Sequence, residues 1–77
     1  MKKLLNYIIE GILDDPSEIK IEEQTEEGIL NLVVYAPKEI IGRIIGKNGR
    51  IIKSIRSLLK IKAIKNNIRF KLVLMES

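Results

Sequence analysis

A run of aliphatic residues at helical spacing, cut by the tetrapeptide Gly46-Lys47-Asn48-Gly49, leaves this chain few ways to fold. Between Lys38 and Leu59 the pattern is helical, yet Gly42, Gly46 and Gly49 interrupt it, and each glycine inside a helix costs ~1 kcal/mol relative to alanine. Two helices joined at a tight glycine corner satisfy the pattern. Beyond the corner, Ile51, Ile52, Ile55, Leu58 and Leu59 fall on one arc of a helical wheel, and Arg50, Lys53, Arg56, Ser57 and Lys60 fall on the opposite arc. One side packs and the other is basic. Continuing this helix would put Lys62 on the apolar arc and Ile64 on the basic one, so its end is predicted near Lys60 or Ile61.

The flanking segments switch between two periodicities. Leu4, Leu5, Ile8, Ile9, Ile12 and Leu13 share one helical stripe, predicting a first helix over residues 2–13 that Asp14-Asp15-Pro16 ends, because proline has no amide hydrogen to continue the ladder. Ile19 and Ile21 alternate with Lys20 and Glu22, predicting a strand from Glu18 to Gln24. Thr25-Glu26-Glu27-Gly28 reads as a hairpin turn. The return strand, Ile29 to Ala36, is apolar on both faces apart from Asn31, which suits the middle of a sheet, and Pro37 stops it. After the helical pair, Ile68, Phe70, Leu72 and Leu74 alternate with Arg69, Lys71 and Val73, predicting a last strand with a basic outer face. The order is α-β-β-α-α-β, an α+β chain forming one domain over residues 1–77.

Composition removes most chemistry. A 77-residue chain is one small domain, and at this size folding buries only ~60% of the surface the unfolded chain exposes. Its aromatic residues are Tyr7, Tyr35 and Phe70, and it has no Cys and no His. Thiolate nucleophiles, imidazole bases, disulfides and the usual zinc ligands are therefore missing, so neither a metal, a cofactor nor an enzymatic activity is expected. Glu39 is the one carboxylate near the glycine corner, and its place at a helix start explains it better than catalysis does. The opening Met1-Lys2-Lys3 and the apolar residues after it imitate a signal peptide, but Asn6 and Glu10 interrupt them and no stretch approaches the ~20 apolar residues that span a bilayer. The expected location is cytoplasmic, without membrane insertion.

Charge is unevenly distributed. Residues 1–37 hold three Lys against eight Asp and Glu, a net of −5, and residues 38–77 hold eleven Lys and Arg against Glu39 and Glu76, a net of +9. The basic half points to a polyanion.

Three motifs compete for the glycine segment. A phosphate-binding P-loop needs four residues before its Gly-Lys pair and a hydroxyl after it; here Gly42 and Gly46 are separated by three residues and Asn48 stands in the hydroxyl position. A membrane helix-dimer motif would bury Arg43, Lys47 and Arg50 in hydrocarbon. The GXXG loop of a KH domain fits: glycines between two helices let a nucleic-acid backbone approach, the following helix start attracts phosphate, and Lys47, Arg50 and Lys53 add mobile charge. The bland alternative is a corner made of glycine for packing alone.

The stretch Ile41-Gly42-Arg43-Ile44-Ile45-Gly46-Lys47-Asn48-Gly49-Arg50-Ile51-Ile52 closely resembles the KH signature. With the opening helix, the Asp14-Asp15-Pro16 break and Ile55-Arg56-Ser57-Leu58-Leu59, the whole chain resembles the KhpA family of small bacterial KH proteins. The resemblance implies a type II KH fold, a three-stranded sheet with helices packed on one face, and a cytoplasmic single-stranded RNA-binding role as an RNA chaperone or post-transcriptional regulator. It also implies a homodimer, a complex with a larger KhpB-like protein, and a link to cell shape. The residues expected at RNA are Arg43, Ile45, Gly46, Lys47, Asn48, Gly49, Arg50 and Lys53, with about four nucleotides in a groove between the loop and the middle of the sheet, and Ile44, Ile45 and Ile52 along its apolar side. Ile61 and Ile64, off the packed arc, either form a protein contact or tuck under the sheet. The alternative function is a protein-interaction module whose partner binds the RNA.

Overall fold

The first helix, α1 (Lys2–Ile12), turns its aliphatic stripe inward and buries Leu5 and Ile9, with Leu13 just beyond its end. In the computed structural model, which describes residues 1–77, Asp15 then ends the connection with a local cap: its carboxylate accepts a hydrogen bond from the Ser17 amide at 3.1 Å. Hydrogen bonds from Ser17 hold the Asp15 carboxyl below its ordinary pKa. A 3-10 turn follows over Pro16–Glu18, so β1 (Lys20–Glu26) begins two residues later than the alternation of Ile19 and Ile21 suggests. Proline at the head of a short helical turn, where its missing amide hydrogen costs nothing, explains the difference.

Glu27 (φ 52°) and Gly28 (φ 78°) form a two-residue hairpin turn whose positive φ values match the right-handed twist of the strands. This tight turn brings Glu26 opposite Ile29 and extends β1 beyond Gln24. The return strand, β2 (Ile29–Ala36), lies in the middle of the sheet, antiparallel to β1 and parallel to β3 (Arg69–Glu76). On its inner face Leu32, Val34 and Ala36 are fully buried under the helices. Its outer face, carrying Asn31, Val33 and Tyr35, has no helix over it and is half-buried by neighbouring side chains alone.

Between β2 and β3 come α2 (Lys38–Ile45) and α3 (Arg50–Lys65). α1 packs against β1, while α2 and α3 pack against β3. Ile44, Ile52, Ile55 and Leu59 join Leu5, Ile9, Leu32 and Val34 in one aliphatic core that contains no polar side chain. Ile44 and Ile52 are thus core residues, and of the three isoleucines expected to line a binding groove only Ile45 reaches the surface.

α3 runs to Lys65, past the end read from the wheel. Ala63 is buried and carries the stripe of Ile52, Ile55 and Leu59 through another turn. Leu58, Ile61 and Ile64 lie on the solvent side, so the apparent break in amphipathicity is a second, exposed apolar row beside an intact packed one. The helix closes with a Schellman arrangement: the Asn67 amide donates to the Ile64 carbonyl at 3.2 Å and the Ile68 amide donates to the Ala63 carbonyl at 2.8 Å. Asn67 supplies the left-handed residue this closure needs, at φ 55°.

Candidate nucleic-acid interface

The corner between α2 and α3 is built by three departures from helical geometry within four residues. Gly46 has φ 75° and ψ 176°, a conformation almost restricted to glycine, while Asn48 (φ 57°) and Gly49 (φ 73°) are left-handed. The Gly49 amide donates to the Gly46 carbonyl at 3.2 Å and locks the turn. A Cβ on Gly46 would lie 2.5 Å from the Ile51 side chain, whereas one on Gly49 would meet nothing closer than 3.9 Å. Gly46 therefore packs the corner. Lys47 and Asn48 stay exposed at its tip, and no part of the chain covers them.

Gly49 is also the N-cap of α3, and no side chain caps that helix start. The Arg50 amide donates to the Lys47 carbonyl inside the corner; first-turn amides without such a partner are left to water or to an anionic ligand, and a 16-residue helix adds the positive end of its dipole at the same point. Arg43 on the last turn of α2, and Arg50 and Lys53 on the first turns of α3, are exposed around the corner, as is Ile45. All eight residues expected at RNA thus sit on one continuous surface segment: the end of α2, the corner and the start of α3.

Farther along α3 than the corner, a groove of about 500 Å³ lies on the outer flank of the helix, between Arg56, Ser57 and Lys60 and, on β3, Phe70, Lys71, Leu72 and Val73. Its position differs from the expectation. The middle of the sheet is filled on the helix side by Leu32 and Val34, so the concave space lies instead where α3 overhangs the free edge of β3. An edge strand presents unpaired backbone donors and acceptors along such a groove. Arg56, Lys60, Phe70 and Lys71 were not among the expected site residues. The signal for the first two is the basic arc of α3, which continues unbroken from Lys53; the strand residues become visible only once the strand order is known.

Eleven cations lie beyond Pro37, and none has a carboxylate within ion-pairing distance. The two ion pairs of the molecule, from the amino terminus to Glu23 at 3.9 Å and from Lys20 to Glu22 at 3.6 Å, both belong to the acidic half. The basic surface is therefore uncompensated, and its field adds along the corner and groove.

The profile of the KhpA/KhpB KH domain matches residues 2–74. The chain belongs to this family. Among KhpA relatives, the RNA-binding protein KhpA of Chlamydia pneumoniae is 43% identical over 76 residues, covering 99% of this chain and 97% of that protein. The RNA-binding protein KhpA of Chlamydia caviae is 46% identical over 78 residues with the same coverage. The RNA-binding protein KhpA of Clostridium acetobutylicum is 41% identical over 69 residues, 90% of this chain and 92% of that protein. The α-β-β-α-α-β order, the mixed three-stranded sheet and the helices on a single face are those of a KH domain. No helix is long and apolar enough to cross a membrane.

Proposed function

We propose that this KhpA/KhpB-family chain is a cytoplasmic single-stranded RNA-binding protein that holds the sugar-phosphate backbone on the Gly46–Gly49 corner. The observation carrying this reading is the uncovered corner itself, with Lys47 and Asn48 exposed beside an uncapped helix start and unpaired cations on both sides. Phosphates meet the loop and the first turn of α3, where Arg43, Lys47, Arg50 and Lys53 supply charge. About four nucleotides continue along the groove, past Arg56 and Lys60, with bases against the edge of β3. The RNA-binding names of the relatives support the same assignment.

Phe70 is the one ring lining that groove, so base stacking, worth ~1–3 kcal/mol per base elsewhere, serves a single position. Modest affinity and broad sequence tolerance follow, which suit an RNA chaperone or post-transcriptional regulator. Binding of a short single-stranded RNA by the natural chain and by Lys47→Asp/Asn48→Asp tests the reading. The variant is expected to lose binding while its circular dichroism and melting temperature stay nearly unchanged, because both side chains are exposed and aspartate tolerates the left-handed backbone at position 48. Unchanged affinity in a folded variant would remove the loop from the mechanism.

A second reading rests on α3. Leu58, Ile61 and Ile64 are 49%, 66% and 70% exposed, a row of large aliphatics on one helix that water does not favour. This row supports protein contact, as a homodimer or with a larger KhpB-like protein, in addition to RNA binding. If it is the contact, Ile61→Asp lowers the mass in solution and leaves RNA affinity per chain within a few-fold.

A further inference from the structure

The strand register sorts the uncovered outer face of the sheet into four rows: Glu26, Ile29 and Arg69; Gln24, Asn31 and Lys71; Glu22, Val33 and Val73; Lys20, Tyr35 and Met75. Acidic residues lie on the β1 side, apolar and amide residues along β2, and cations on the β3 side at one end. At the other end Val73 and Met75 are 39% and 47% exposed beside half-buried Val33 and Tyr35. The charges at that end are already neutralised, since Lys20 and Glu22 pair at 3.6 Å. Glu26 and Arg69, both exposed, have no ion-pair partner within the chain.

This arrangement complements itself under one rotation. A two-fold axis parallel to β2, lying over the face, stacks β2 on β2 and β1 on β3 with each row over its own reverse. Glu26 then faces Arg69 of a second copy, twice per pair, Gln24 faces Lys71 of that copy, and Val33 lies over its own counterpart. A two-fold axis across the strands instead stacks β3 on β3 and leaves both Arg69 residues without a carboxylate. We infer that the outer sheet face is a self-association surface, joining two copies of this chain sheet to sheet through reciprocal Glu26–Arg69 pairs at one end of the face and an apolar patch of Val33, Tyr35, Val73 and Met75 at the other. The surface is distinct from the exposed row of α3 and meets the nucleic-acid groove only at Lys71 and Val73, and the inference does not depend on the proposed function. Three short strands offer less area than the ~1,200–2,000 Å² of a permanent complex, so the association is weak and appears at high protein concentration.

Sedimentation of the full chain carrying Ile61→Asp, which removes the helix contact, reads this surface alone. The mass is expected to rise toward that of a dimer as protein approaches millimolar concentration. Glu26→Arg and Arg69→Glu should each weaken association at least about tenfold, since each creates two like-charge contacts. The double exchange Glu26→Arg/Arg69→Glu should restore it. Because the chain has no cysteine, Val33→Cys with a short bismaleimide gives an independent reading, a covalent dimer formed through position 33. A monomer throughout the range, a double exchange as weak as the single ones, or an Arg69→Glu variant that loses RNA affinity with no change in mass would overturn the inference, the last by giving the face to RNA.

Discussion

Gly46 and Gly49 carry the same residue type for different physical reasons. Gly46 combines a backbone conformation that side chains avoid with contact against Ile51, whereas Gly49 is left-handed in open space. Gly46→Ala should therefore cost about 3 kcal/mol of stability or more, and Gly49→Ala about 1–2 kcal/mol, measured by urea denaturation. Equal costs at the two positions would mean that packing against Ile51 does not matter. The loop's place in the chain was legible from its glycines and helical flanks, but its division of labour was not. Packing and binding had looked like rival explanations of one motif, yet packing resides in Gly46 and leaves Lys47 and Asn48 exposed. Ile44, Ile45 and Ile52 show the same limit: adjacent aliphatics in a helix diverge by a large angle, and only three-dimensional packing decides that Ile45 is the one to face outward.

Among the elements, β2 begins and ends where its composition indicates, because Gly28 and Pro37 bound it with unambiguous backbone chemistry. The start of β1 and the end of α3 were misjudged where the deciding residues are small or local. Pro16-Ser17-Glu18 winds into a turn that Asp15 caps, and Ala63, too small to mark an apolar arc, carries the stripe of α3 past Leu59. The end of α3 is instead set by Asn67, which adopts φ 55° in a role more often filled by glycine. Asn67→Val should lower stability by about 1–2 kcal/mol, because a β-branched side chain resists the left-handed region, while Asn67→Gly should be neutral or slightly stabilising. Chemical denaturation of the two variants checks the cap; the reverse ranking would mean that the helix ends for another reason.

At the scale of the whole molecule, the charge division seen along the chain becomes a division in space. β1 forms one edge of the sheet and brings the acidic half with it, while α3 and β3 place the cations at the other edge. The imbalance was legible in the sequence. The groove was not, because it exists only where α3 overhangs a free edge strand, and which strand is free depends on the sheet order. Its cations have no carboxylate partners, so a bound strand would displace counterions rather than break ion pairs. The most direct measurement of this account is the affinity for a short single-stranded RNA as a function of salt, for the natural chain and for Lys47→Asp/Asn48→Asp. With about three phosphates neutralised, the log–log slope of the natural chain should be roughly −2, and the variant should show little binding at any salt concentration. A slope near zero, or an unchanged slope and affinity in the variant, would contradict a backbone grip at the glycine corner.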